Sequence, residues 1–186
     1  SHFFCGSDVL VASPGPSLDQ SLTDLKKYRD NFLIMAPLRS IPALHSAGIS
    51  ADFAVWADPS DFSVLLPDAN IAKGTALLIA ESAHSNMFSN IFDRIYTIPE
   101  PALGNNLLST TAHGDDAPLI PGGSVAVVST VIPLQLGARS VTLIGQDLCF
   151  EGGRYSKSAS RIGVIDDLVL GADISCDSIS GGLVKT

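Results

Sequence analysis

Cysteine is scarce in this chain of 186 residues: there are three, Cys5, Cys149 and Cys176. They lie far apart and form no Cys-x-x-Cys, which argues against a disulfide framework and a structural zinc site. Idle or buried thiols in a reducing cytoplasm are the expectation. Positive charge is scarce too, with Lys plus Arg at 11 against Asp plus Glu at 19, a net charge of −8. Such a surface repels phosphate backbones and anionic lipid, so neither nucleic acid nor membrane is expected as a partner. No apolar run approaches the ~20 residues that span a bilayer. Ser1-His2-Phe3-Phe4 lacks the basic start of a signal peptide. The chain also lacks an initiator Met, and nothing after Ser180 reads as a closing helix, so an excised piece of a longer protein is expected. Charged residues make up 16% of the chain and hydrophobic ones 46%, a balance that excludes disorder and allows a buried core.

What is present is an alternation of short apolar runs and helical patterns. Val9–Ala12, Phe32–Ala36, Phe53–Ala57, Thr75–Ala80, Arg94–Ile98 and Ser140–Ile144 read as strands, most of them continuous apolar runs suited to burial on both faces. Leu18, Leu22, Leu25 and Tyr28 recur at helical spacing, with Asp19 early and Lys26 and Lys27 late, as the helix dipole favours. A short helix is expected over Ser40–Ala47, with Ser40 as N-cap, Pro42 in its first turn and Gly48 as its stop. Another is expected near residues 84–92. The segment Val125–Leu136 mixes strand and helix signals. Its length, Ser124 and Gly137 favour a helix, kinked or shortened near Pro133. Residues 99–121 read as a long loop or lid. Residues 151–186 read as an irregular tail with at most one short strand around Leu168–Leu170. Together these predict one α/β domain over 1–186, Rossmann-like, with a mostly parallel sheet of about six strands and helices on both faces.

Ligands of an open parallel sheet bind beyond the carboxyl ends of its strands. Four strands here end in polar or Gly-bearing turns, expected to cluster on one edge: Ser13–Ser17, Ala57–Pro59, Glu81-Ser82 and Gly145–Asp147. In Gly15-Pro16-Ser17-Leu18 the glycine permits close approach, and the following helix N-terminus suits a phosphate. Gly122-Gly123-Ser124 is a second Gly-rich turn before a helix. Each also fits an ordinary strand-to-helix or capping turn, and neither is a G-x-G-x-x-G or a P-loop. Asp58 and Asp147 follow strand ends, where a carboxylate binds a ribose hydroxyl, Mg²⁺ or a helix N-terminus. The four histidines show no metal spacing. His113 in the long loop is a candidate base, and Arg154, Tyr155, Lys157 and Arg161 form a local basic stretch. No serine-hydrolase elbow, kinase set or zinc signature is present.

In this order, Gly15-Pro16-Ser17-Leu18, Ile49–Val55 leading to Asp58, Gly122–Ala126 and Leu136–Ala138 running into Leu143–Leu148, with Tyr155 after, form a familiar set. It resembles the motility accessory factor family, the central domain of flagellin glycosyltransferases, over about Val9 to Tyr155. The sequence departs from that pattern at Ala51 and at Cys149-Phe150 without losing a functional group. The resemblance implies a Rossmann-like domain related to bacterial sialyltransferases. It implies a cytoplasmic transferase that moves a nonulosonic acid from its CMP-activated form to Ser or Thr of flagellin or another surface protein. On that reading Gly15, Pro16, Ser17, Leu18, Asp58, Gly122, Gly123, Ser124, Gly145, Gln146 and Arg154 bind the nucleotide-sugar. His113, Asp147 and Tyr155 are rival candidates for the base, no cofactor is assigned, and CMP binding is expected to have little need for Mg²⁺. The same scaffold is similar to pterin pyrophosphokinase-like proteins, which implies an alternative: ATP as substrate, with Asp58 as a Mg²⁺ ligand. A non-catalytic nucleotide-binding module is a third expectation.

Overall fold

The computed structural model describes residues 4–59, 61, 66, 69–84, 86, 91–98 and 124–149, together with the backbone of 175–177 and 183–185. Six strands form one sheet: β1 (Asp8–Ala12), β2 (Leu33–Pro37), β3 (Phe53–Trp56), β4 (Ala76–Ala80), β5 (Arg94–Ile98) and β6 (Ser140–Ile144). Their order is β5-β4-β3-β2-β1-β6, and every neighbouring pair is parallel. The helices are α1 (Leu18–Lys27), α2 (Ile41–Ser46) and α3 (Val125–Gln135). The Rossmann-like α/β architecture is therefore as expected.

The layering follows from side-chain alternation. Val9, Val11, Met35, Val55 and Leu78 face one way, and Leu10, Ala12, Ile34, Ala54 and Leu77 the other. Both sets are buried, which is why these strands read as unbroken apolar runs. The first five strands step outward from β1 with α1 and α2 packed in one core cluster. The return to β6 runs the opposite way, and a right-handed crossover then puts α3 on the other face. Val128 and Ile132 of α3 accordingly belong to the second cluster, with Phe4 against Phe53 edge to face at 5.1 Å. Each such fully buried aliphatic side chain contributes ~1.5–3 kcal/mol by leaving water.

Helix ends differ in instructive ways from expectation. Ser40 does not cap α2. A 3₁₀ turn over Leu38–Ser40 leads straight into the helix, so Ser40 is already helical (φ −84°, ψ −18°), and its side chain makes no capping bond. Pro42 does sit in the first turn, and Gly48 ends the helix at φ +72°. The segment after Ser124 is a helix, whose Ser124 Oγ accepts from Val127 N at 3.4 Å. Pro133 does not shorten it: α3 continues to Gln135. The cost of the missing amide is limited because Pro133 lies in the last turn. Two short strands, β7 (Ser175–Asp177) and β8 (Leu183–Lys185), pair antiparallel in the tail read as irregular. The helix expected near 84–92, apart from a few residues, the 99–121 loop and the Leu168–Leu170 strand lie outside the described residues.

Candidate functional site

A cavity of about 430 Å³ opens beyond the carboxyl ends of β1, β2, β3 and β6. Its position follows from topology: connections leave β1 in opposite directions, and a crevice forms at that switch point. Ser13, Pro14 and Gly15 come from β1, Pro37 and Arg39 from β2, and Trp56, Ala57 and Asp58 from β3. Gly145, Gln146, Leu148 and Cys149 come from β6, and Ser124, Val125 and Ala126 from the start of α3. The volume lies in the range of small-molecule sites.

The turns after β1 and β6 are locked together. Ser13 N donates to Ile144 O at 2.9 Å, and Gly15 N to Gly145 O at 2.7 Å. A Cβ on Gly15 would collide with Asp147 Oδ2 and the Gly145 carbonyl. Gly145 has φ +64°, and a Cβ there would collide with the Ser13 carbonyl. Both glycines are therefore demanded by close backbone approach. Asp147 completes the lock. Its Oδ2 accepts from Ser17 N at 3.0 Å and from Ser17 Oγ at 2.9 Å. A carboxylate from β6 thus caps α1 in place of Ser17's own side chain, where the helix dipole stabilises it.

The other helix N-terminus borders the cavity. Val127 N is taken by Ser124 Oγ, and Val128 N by the Ser124 carbonyl at 3.1 Å. The amides of Val125 and Ala126 have no acceptor inside the helix, because first-turn amides never do. They carry the positive end of the α3 dipole into the cavity wall. Among the described lining residues Arg39 is the one cation and Asp58 the one carboxylate. Leu148 holds φ 54° and is 74% exposed at the cavity mouth. A non-glycine residue in that region is strained, and such strain concentrates at ligand sites.

The structure brings Gly15, Asp58, Ser124, Gly145 and Gln146 to this one cavity. Ser17 and Asp147 engage each other and are not among the lining residues, and Leu18 is fully buried in the first core cluster. Pro16, between Gly15 and Ser17 in the turn, is not among the lining residues either. Glu81-Ser82 is not among the lining residues, since β4 is three strands from β1, about 14 Å at the usual strand spacing. His113, Gly122, Gly123, Arg154 and Tyr155, with Lys157 and Arg161, lie outside the described residues. The turn Ser13–Ser17 was expected at the site, and Ser13 lines it; sequence reasoning missed Pro37, Arg39 and Trp56. The strand-end rule, applied to β2 as it was to β1 and β3, would have found Arg39. Trp56 ends β3 but reads as strand interior. No group of three or more His, Cys, Asp or Glu with metal-binding placement occurs among the described residues. No helix there is long and apolar enough to cross a membrane.

The model of one family, described as 6-hydroxymethylpterin diphosphokinase MptE-like, matches residues 1–153. No match was found among curated proteins. A similar solved structure is that of the MAf glycosyltransferase from Magnetospirillum magneticum AMB-1, with a TM-score of 0.71 at 20% identity. The superposition covers 100% of this chain and 28% of that one. At that identity the likeness carries the fold, and this chain spans little more than a quarter of its neighbour.

Proposed function

Because the chain belongs to the MptE-like family, whose six-stranded scaffold the MAf glycosyltransferase shares, we propose that it binds a nucleotide at the switch-point cavity for group transfer. The finer reading is a cytoplasmic glycosyltransferase with a CMP-activated nonulosonic acid as donor. The acceptor is a Ser or Thr hydroxyl of flagellin or another surface protein. The observation that carries it is the charge balance of the cavity: one guanidinium, one carboxylate and a helix N-terminus line it among the described residues. A phosphodiester with a single charge matches one cation and two first-turn amides. A triphosphate asks for considerably more positive charge.

On this reading the α3 amides and Arg39 hold the phosphate, and Gly122 and Gly123, which precede Ser124 in the sequence, keep the binding role the resemblance implies. Asp58 accepts a sugar hydroxyl, and Gly15 and Gly145 let the ligand approach the backbone. The acceptor oxygen attacks the anomeric carbon, the bond to the phosphate oxygen breaks, and CMP leaves while a base takes the hydroxyl proton. His113, Asp147 and Tyr155 stay the candidates for that base. Asp147 already accepts two hydrogen bonds from Ser17, so its variant reports on the turn as well as on proton transfer.

The family description favours a second reading, diphosphate transfer from ATP to a pterin-like alcohol. Mg²⁺ usually binds one or two carboxylates plus substrate phosphates, and Asp58 meets that minimum at the cavity edge. There the ion would neutralise phosphate charge. Calorimetry of the intact protein separates the two. Transfer from a CMP-sugar predicts CMP binding that is indifferent to Mg²⁺. Diphosphate transfer predicts ATP binding that needs Mg²⁺ and is lost in Asp58→Ala. Absence of CMP binding sinks the first reading.

A further inference from the structure

Two polar atoms in the cavity wall are buried and without a hydrogen-bond partner among the described residues: Ser13 Oγ and Gln146 Oε1. Ser13 as a whole is only 2% exposed. Leaving such a group without a partner leaves its lost hydration uncompensated, and folded proteins keep few of them. Ser40 Oγ, which does not line the cavity, is also buried without a partner among the described residues, but Ser13 and Gln146 stand together in adjoining turns of one cavity. The backbone bonds that lock these turns fix both positions, so neither side chain is placed there by chance of a loose loop. Trp56, 2% exposed, supplies aromatic surface to the same cavity.

We infer that Ser13 and Gln146 read the polar edge of a planar amino-heterocycle, the ring of the ligand whose charged end sits at Arg39 and α3. The chemistry selects the class. Gln146 Oε1 is an acceptor and needs an N–H donor. Its amide nitrogen is a donor, so the side chain pairs with an edge that sets a donor beside an acceptor. Glutamine meets adenine in this way in nucleic-acid recognition. A hydroxyl such as Ser13 Oγ serves either partner. Cytosine, adenine and a pterin all present such an edge, whereas a bare sugar phosphate does not. The inference rests on the cavity being the ligand site proposed above, and it adds which wall recognises the ring.

The experiment uses Gln146→Met and Ser13→Ala, which remove the polar atoms with little change of shape. Binding of CMP, AMP, 6-hydroxymethylpterin and ribose 5-phosphate is measured by calorimetry, and melting of the free proteins by scanning calorimetry. We expect each variant to weaken the preferred heterocyclic ligand about tenfold or more and to leave ribose 5-phosphate unchanged. Without ligand each variant should melt about 2–4 °C higher, since an unsatisfied group has been removed. Equal weakening of ribose 5-phosphate, or unchanged binding of every heterocycle, overturns the inference. Binding of the pterin alone, weakened in Gln146→Met, keeps the inference and removes the CMP reading. Failure of all four ligands on the parent protein defeats both.

Discussion

The two edges of the sheet treat polar groups in opposite ways. At the amino edge they are paired across elements. Arg29 holds both oxygens of Asp52 at 3.0 and 2.9 Å and reaches the Phe32 carbonyl at 3.1 Å, while Asp52 also accepts from Ile34 N at 2.7 Å. Thr75 Oγ1 donates to Ala51 O, Gly74 N to Asp93, and Arg139 and Ser140 to Asp8. At the carboxyl edge Ser13 Oγ and Gln146 Oε1 have no partner among the described residues, Leu148 is strained, and two glycines make room for backbone contact. Saturated pairing on one side fastens the strands. Incomplete pairing on the other leaves polar groups open, among the described residues, to the ligand proposed above. The comparison makes a general prediction: damage at the amino edge lowers stability and spares binding, and damage at the carboxyl edge does more to binding than to stability.

The largest effect is expected where the carboxyl edge has no room at all. Gly145→Ala puts a side chain in the left-handed region and into the Ser13 carbonyl. Overpacking and the unfavourable φ together cost about 2–5 kcal/mol. Gly15→Ala meets Asp147 and the Gly145 carbonyl with a similar penalty. Denaturant unfolding should show both losses, and calorimetry should show nucleotide binding abolished. A variant that binds normally would mean the interlock does not shape the cavity. Next comes Asp52→Ala, which strands Arg29 and the Ile34 amide. The expected loss is about 1.5–3 kcal/mol for bonds to a charged group. Ligand affinity should not move, and a large change in it would break the contrast between the edges.

How much of this was legible in the sequence follows the same division. Continuous apolar runs such as Val9–Ala12 and Ala76–Ala80 announce doubly buried strands, because a parallel sheet permits no polar face. Strands β1 to β4 were legible for that reason, whereas the edge strands β5 and β6 mix polar and apolar residues and are partly exposed. Ser124 was legible as a cap since an extended residue before an apolar helix leaves few other roles. Ser40 was misread: the same local signal meets a 3₁₀ turn that no window of sequence displays. The site was half legible. Strand-end turns marked Gly15, Asp58, Gly145 and Gln146, but the pairing of Asp147 with Ser17 spans 130 positions and depends on which strand lies beside β1. Arg39 was within reach of the same strand-end rule, but Trp56, the last residue of β3, reads as strand interior and became a lining residue only in the folded sheet.

That distant pairing gives a prediction of middle size. Asp147→Ala uncaps α1, and removal of an N-cap costs ~1 kcal/mol, within 0.5–2 kcal/mol. Asp147→Asn retains an acceptor but loses the charge facing the helix dipole, worth ~0.3–1 kcal/mol. If Asp147 only holds the turn, Asn should recover most of the binding and turnover that Ala loses. If it is the base, Asn should bind CMP normally and turn over hundreds of times more slowly. The two variants therefore place Asp147 on one side or the other of the contrast between holding and reacting.

The smallest effect belongs to the amino edge and is visible only in acid. Hydrogen bonds from Arg139, and then from Ser140, lower the Asp8 pKa from an ordinary 3.8 to about 2. A carboxyl whose folded pKa is depressed stabilises the fold fully above its unfolded value and loses that contribution as pH falls through the folded one. The window is therefore about pH 4 to pH 2. Asp8→Asn cannot ionise, so at neutral pH it should melt slightly below the parent. That gap should close steadily across the window and vanish near pH 2. The pair is exposed, so salt should shrink the gap at neutral pH. Melting curves at half-unit steps of pH give the comparison. A gap that persists unchanged to pH 2 would mean that Asp8 acts through packing or register. Charge would then not be what fastens β1 to β6 at this edge. Nucleotide affinity at neutral pH should be the same in both proteins, because Asp8 starts β1 and the cavity lies past its other end.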